Sequence, residues 1–181
     1  MPAKDVPPSL SHGFVQVYTG DGKGKTTAAL GLAVRAAGAG LRVYLAQFMK
    51  GRDSGEVAGL KRFADRITLR RHGGKCFVEE PPDEADIAAA RDGLREAALA
   101  MRSGDYQMVI LDEANVAAHV GLFTVDDLME LIRARPADVE LVITGRSADR
   151  RVVEAADLVT DMVAVKHYFD RGVPAREGIE K

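Results

Sequence analysis

The sequence predicts an α/β fold in which strands alternating with helices build a parallel sheet covered on both faces, with ligands taken at its carboxyl edge. Three observations carry this expectation. A short β-type run, Phe14-Val-Gln-Val-Tyr18, leads into a glycine-rich loop and then an alanine-rich helical stretch. A second apolar run, Tyr106-Gln-Met-Val-Ile-Leu-Asp-Glu113, ends in two carboxylates. Further apolar runs of strand length alternate with segments of helical spacing along the rest of the chain.

At 181 residues the chain is expected to fold as one domain over residues 14–181, preceded by a flexible arm over residues 1–13, of a kind that can close over a site. With 25 basic and 27 acidic residues the formal charge is −2, so no electrostatic footprint for nucleic acid is present. No apolar stretch reaches the length of a membrane span. The lone Cys76 forms no internal disulfide, and the first residues, interrupted by Pro2, Pro7 and Pro8, lack the apolar core of a signal peptide. The expected compartment is the cytoplasm.

The elements follow in order. Leu30, Leu32, Ala33, Ala36 and Ala37 favour a helix from Gly24 to about Ala39, packed closely on the sheet and ended by Gly38 and Gly40. Arg42 to Phe48 reads as a buried strand, its far end opening a loop that runs from Gln47 to Gly55 and contains Lys50 and Arg52. A short helix over residues 56–63 and a strand at residues 67–69 come next. Asp83, after Pro81-Pro82, is an N-cap for a helix whose buried face carries Ile87, Ala90, Leu94, Ala97 and Met101. Thr124 caps a further helix, with Asp127 at its third position and the staple pair Phe123/Leu128, and Pro136 ends it. Val139 to Ile143 is another strand, delivering Thr144-Gly145-Arg146 to the carboxyl edge. A helix over residues 149–156 and a strand around residues 162–165 complete the expected elements.

The chemistry concentrates in Thr19-Gly20-Asp21-Gly22-Lys23-Gly24-Lys25-Thr26-Thr27. Glycines let successive N–H groups face one anion, the following helix adds the positive end of its dipole, and lysine adds a full charge. The stretch is a variant of G-x-x-x-x-G-K-[ST], with Thr19 where the pattern has glycine. A turn that merely joined strand to helix would not need Lys25 and Thr26 in that register. The loop is therefore read as a nucleotide site formed by Gly20, Asp21, Gly22, Lys23, Gly24, Lys25, Thr26 and Thr27, with the Thr26 hydroxyl offered to Mg²⁺.

Asp112 and Glu113 emerge at the same edge and are read as serving that metal; the plainer alternative is that they cap the next helix. Between Leu60 and Cys76 lie Lys61, Arg62, Arg66, Arg70, Arg71, His72 and Lys75 against one acid, Asp65. They form either a solvated basic face or a dock for an anionic ligand or an acidic electron-donor protein.

Gly20-Asp-Gly-Lys-Gly-Lys-Thr-Thr27, Gln47-Phe-Met-Lys-Gly51, Leu111-Asp-Glu-Ala-Asn115, Ile143-Thr-Gly-Arg146 and Val165-Lys-His-Tyr-Phe-Asp-Arg-Gly-Val-Pro-Ala-Arg176 together resemble the P-loop family of ATP:corrinoid adenosyltransferases. The resemblance runs from Gly13 to Glu180. It implies a P-loop NTPase-like, RecA-like parallel sheet of about six strands, a homodimer, and transfer of the 5′-deoxyadenosyl group of ATP to the Co(I) of cob(I)alamin or cob(I)yrinic acid a,c-diamide.

Residue by residue, it implies that Lys25, Thr26, the loop amides and Arg146 hold the nucleotide. Thr26 and Glu113, with Asp112 beside them, would serve Mg²⁺ or Mn²⁺. A flavoprotein such as a flavodoxin is the implied reductant. Some relatives press an aromatic pair against the lower corrin face. Here Gly73-Gly-Lys-Cys-Phe-Val-Glu79 offers only Phe77, in a chain without tryptophan, so Phe77 is either that wall or an ordinary core residue. Cys76 is not read as a nucleophile, since Co(I) already is one.

Two other classes share the loop. A P-loop ATPase or kinase would aim Glu113 at water or a hydroxyl, and a nucleotide- or corrinoid-binding regulator would bind without turnover.

Overall fold

Nearly every side chain of the second strand is apolar, and a strand apolar on both sides needs a helical layer on each. In the computed structural model, which describes residues 8–50, 55–73 and 82–180, that demand is met. Val43 and Leu45 of β2 (Val43–Phe48) pack with one core, and Tyr44, Ala46 and Phe48 with the other.

The first core receives α1 (Lys25–Gly38) through Ala29, Ala33, Ala36 and Ala37, together with Leu60 of α2 (Gly55–Leu60). Small alanines let α1 sit close to the sheet. The opposite core receives α3 (Glu84–Arg102), α4 (Ala114–His119), α5 (Val125–Arg133) and α6 (Arg150–Ala155). A 3-10 turn, Lys61–Phe63, continues α2, and another, Tyr168–Arg171, lies in the tail.

The remaining strands are β1 (Val15–Thr19), β3 (Ile67–His72), β4 (Met108–Asp112), β5 (Glu140–Thr144) and β6 (Leu158–Asp161). All pairings are parallel, and the order is β3-β2-β4-β5-β1-β6. After β1 the chain passes by α1 toward β2; after β5 it passes by α6, on the other face, to β6. The loops following the adjacent strands β1 and β5 therefore diverge, which opens a crevice at the carboxyl edge.

Two expectations need correction. The last strand is Leu158–Asp161, not the apolar run at 162–165: Gln16 pairs with Leu158 and Thr19 with Asp161. An edge strand has one ladder and open water beyond it, so its apolar content is a poor guide; all four of its residues are exposed. Met162 instead leaves the strand to brace the glycine loop, donating its N–H to the Thr19 carbonyl (2.9 Å) and accepting from the Gly22 N–H (2.6 Å). The second correction is α4, a helix absent from the sequence reading because its six residues are too few to display a period.

Caps fall where the sequence places them. Asp83 accepts from the Asp86 N–H, and Thr124 with Asp127 forms a reciprocal capping box on α5.

Candidate active site

The glycine loop turns as tightly as it does because two of its positions admit no side chain. Gly20 has φ 91, and a Cβ on Gly22 would stand 2.5 Å from the Met162 carbonyl. The loop hands over to α1 at Gly24, so Lys25, Thr26 and Thr27 occupy the first helical turn, where N–H groups lack intrahelical partners. Lys25 is 7% exposed, and its Nζ donates to the carbonyls of Gly20 and Gly22, each at 2.7 Å. Burial, and secondarily Arg146, pull its pKa below the ordinary lysine value, against the carboxylates of Glu113, Asp21 and Asp161.

The acids emerge two strands away and differ in task. Asp112 is fully buried: its Oδ1 accepts from the Thr144 hydroxyl (2.7 Å), its Oδ2 from Gln47 Nε2 (3.1 Å), and the Lys50 ammonium lies 3.7 Å off. The Thr144 hydroxyl accepts from the Glu113 N–H (3.0 Å), which fixes its own proton toward Asp112. Thr144 thus ties β4 to β5 at the site.

Glu113 stands at the N-cap position of α4 yet makes no side-chain capping bond, contrary to the plainer reading of the acidic pair. Burial first, then Asp112, push its pKa above the usual carboxylate range, opposed by Lys50, Lys25 and Arg146. Lys50 goes the other way. Burial works against its charge, but Asp112, Glu56 and Glu113 outweigh that and raise its pKa.

Backbone strain gathers at the same edge. Among the described residues, the non-glycine positions with left-handed φ are Met49, Glu113 and Ser147, just past the ends of β2, β4 and β5. Such conformations cost on the order of 1 kcal/mol each and persist where the surroundings over-determine them.

These groups surround one cleft of about 1160 Å³, walled by Lys25, Thr26, Lys50, Glu113, Arg146 and the tail residue Glu180. Gly22, Lys23, Gly24 and Thr27 share the lining. Asp112 sits behind it. Phe77 and Cys76 fall outside the described residues. Lys23, expected at the nucleotide, turns to the tail: its Nζ lies 3.0 Å from the Tyr168 hydroxyl, 3.0 Å from the Ile179 carbonyl and 2.8 Å from Glu180.

The sequence reading quotes Gln47 within a motif but gives it no role, although one amide in an otherwise apolar buried strand was a usable signal. Nor does it give a role to Asn115, buried on α4, whose Nδ2 donates to the Gly145 carbonyl (3.3 Å) and so steadies the loop bearing Arg146. Of the basic run, Arg66 donates to the Gly40 carbonyl and Arg71 to that of Lys50, so part of it staples the fold.

A phosphate loop on β1, an acidic end on β4 and a strand inserted between them define a P-loop protein of RecA-like build. Solved structures of the same fold include the RadB recombinase (TM-score 0.52, 14% identity, covering 83% of this chain and 74% of that one). A KaiC-like protein from Pyrococcus horikoshii has TM-score 0.57 and 16% identity, covering 84% and 74%. The chain belongs to the ATP:corrinoid adenosyltransferase BtuR/CobO/CobP family, whose model it matches over residues 11–180. It is 39% identical over 169 residues to the corrinoid adenosyltransferase of Pseudomonas aeruginosa, covering 93% of this chain and 83% of that one. With the Escherichia coli K12 corrinoid adenosyltransferase the identity is 35% over 176 residues, covering 93% and 85%.

Proposed function

We propose that this chain transfers the 5′-deoxyadenosyl group of ATP to the Co(I) centre of a corrinoid, cob(I)alamin or cob(I)yrinic acid a,c-diamide, in adenosylcobalamin biosynthesis or salvage. The observation that carries this is a phosphate loop and a strand-end carboxylate facing one cleft, in a member of an ATP:corrinoid adenosyltransferase family.

In the reaction an electron pair of substrate Co(I) attacks the 5′ carbon and becomes the Co–C bond, while the C5′–O bond breaks and triphosphate leaves with the electron pair of that broken bond. The protein makes no nucleophile. Its task is to hold cobalt, carbon and leaving oxygen in line, worth up to about 7–11 kcal/mol in well-oriented systems. Lys25, the loop N–H groups and Arg146 stabilise the charge growing on the triphosphate.

The site suits a magnesium ion. Glu113 is ionisable, uncapped and at the cleft, and Gln47 holds a fully buried Oε1 without a hydrogen-bond partner beside Asp112. No cluster of three or more acidic, histidine or cysteine ligands occurs among the described residues. Magnesium in nucleotide sites takes one or two carboxylates, phosphate and water, so such a cluster is not needed. Thr26 and Glu113 would hold the ion, with Asp112 fixed behind them by Gln47 and Thr144. When bound, it would neutralise charge on the leaving triphosphate.

Phe77 is proposed as the wall against the lower corrin face, easing reduction of Co(II) by excluding an axial ligand. A flavodoxin-type reductant would dock on the basic run, of which Lys61, Arg62 and Arg70 are exposed. The enzyme would work in the cytoplasm as a homodimer. Val159, Val163, Val165 and Phe169, from 40% to 86% exposed along β6 and its continuation, are a candidate self-association face. Val165→Asp should then lower the mass measured by light scattering from dimer to monomer; an unchanged dimer would place the interface elsewhere.

The decisive experiment incubates the protein anaerobically with ATP, Mg²⁺ and chemically reduced corrinoid, and identifies the phosphate product. Intact triphosphate with a new Co–C bond is expected. ADP and orthophosphate without that bond would instead mean hydrolysis or phosphoryl transfer.

A further inference from the structure

The sequence places Lys23 inside the phosphate loop, but the side chain is fully engaged elsewhere. An ammonium has three N–H donors, and three acceptors surround this one: the Tyr168 hydroxyl, the Ile179 carbonyl and the Glu180 carboxylate, all within 3.0 Å. None remains for a phosphate.

The acceptors are themselves organised. Glu180 Oε1 also takes the Tyr168 hydroxyl and Arg176 Nη2 (3.0 Å), while its Oε2 takes the Arg176 backbone N–H (2.9 Å) and Nε (3.2 Å). The Arg176 guanidinium lies 5.0 Å from the centre of the Tyr168 ring. Arg176, then Lys23 and Tyr168, hold the Glu180 carboxyl far below the usual range, so it is charged throughout the physiological span. Each contact is weak alone on an exposed surface, but they converge on one carboxylate, a bidentate arginine among them. The segment they seat is not remote: His167, Gly178, Ile179 and Glu180 line the same cleft as Lys25, Thr26, Glu113 and Arg146.

We propose that Lys23 is a positioning residue rather than a phosphate ligand: it pegs the segment from His167 to Glu180 across the loop as one wall of the nucleotide cleft, with Glu180 as its counter-ion. This rests on the reading of that cleft as the ATP site. A wall that meets the bound nucleotide before and during reaction alike governs KM and leaves kcat nearly alone.

The test compares Lys23→Met, Glu180→Gln and the double variant with the unaltered chain, following ATP kinetics and the rate of tryptic cleavage after Arg171 and Arg176. Both single variants are expected to raise the KM for ATP roughly two- to fivefold, the span of a partly exposed ion pair, with kcat within about twofold. The double variant should be no worse than either, and cleavage in the tail should accelerate in all three. If Glu180→Gln tightens ATP while Lys23→Met weakens it, Glu180 competes with phosphate for Lys23 and the proposal is overturned. It is equally overturned if both leave KM and tail cleavage unchanged while Lys25→Ala still abolishes turnover, an outcome that spares the cleft as the ATP site. Failure of Lys25→Ala to affect ATP at all would sink the cleft reading itself.

Discussion

Lys25 and Thr144 show how much one side chain can carry here. Lys25 is buried against two carbonyls of its own loop with its charge disfavoured by burial, and on the proposed reading a polyphosphate would restore a favourable surrounding. Lys25→Ala should lower turnover by roughly two to three orders of magnitude, as for other charged stabilisers of a leaving group, measured as kcat under saturating ATP. Thr144→Val keeps the shape but removes both the acceptor of the Glu113 N–H and the donor to buried Asp112. It should cost about 1–3 kcal/mol, read from denaturant unfolding, and a loss under a few tenths would show that water replaces the hydroxyl. Lys25 was legible because a loop motif fixes its spacing. The Lys23–Glu180 pair was not, since nothing local announces a partner so far along the chain.

At the scale of elements, α5 illustrates a signal that sequence carries completely. Thr124 and Asp127 cap each other's backbone, and these hydrogen bonds, the Thr124 hydroxyl first, hold the Asp127 pKa below its ordinary value. A depressed carboxylate stabilises the fold above its unfolded pKa and loses that contribution as pH falls through the folded value. Asp127→Asn should therefore be less stable than the parent at neutral pH, the gap closing in acid below the carboxylate range. Thr124→Ala should lose about 1 kcal/mol, or about 2–4 °C in Tm for a chain of this size. The strand β6 is the opposite case. Its exposed Leu158–Asp161 carries an acid at its end, Asp161, while the more apolar 162–165 follows it, so hydropathy pointed one step too far.

For the whole molecule, the alternation of strands and helices made the layered architecture readable, and the two motif-bearing strands made the functional edge readable. Strand order was not. That β5 lies between β1 and β4 depends on β1 meeting β5 across more than a hundred residues, Val15 opposite Leu141, and no periodicity encodes it. Yet this order decides the site: it sets Glu113 across a strand's width from Lys25, leaving room for a ligand, and lets Thr144 join the two sides.

The same order has a bearing on how the chain comes into being. Strand β1 leaves the ribosome first, but its neighbours in the sheet are β5 and β6, which begin at residues 140 and 158. At about 5–20 residues per second, Val15 and Val17 wait on the order of ten seconds for a partner, while β2, β3 and β4 can already pair. On the proposed reading the nascent chain thus carries its nucleotide motif long before it can use it, and newly made protein should gain ATP affinity only when synthesis is nearly complete. In refolding followed by pulsed hydrogen exchange, amides of β2 and β4 should become protected before those of β1. Simultaneous protection would mean that collapse, rather than strand order, times the assembly.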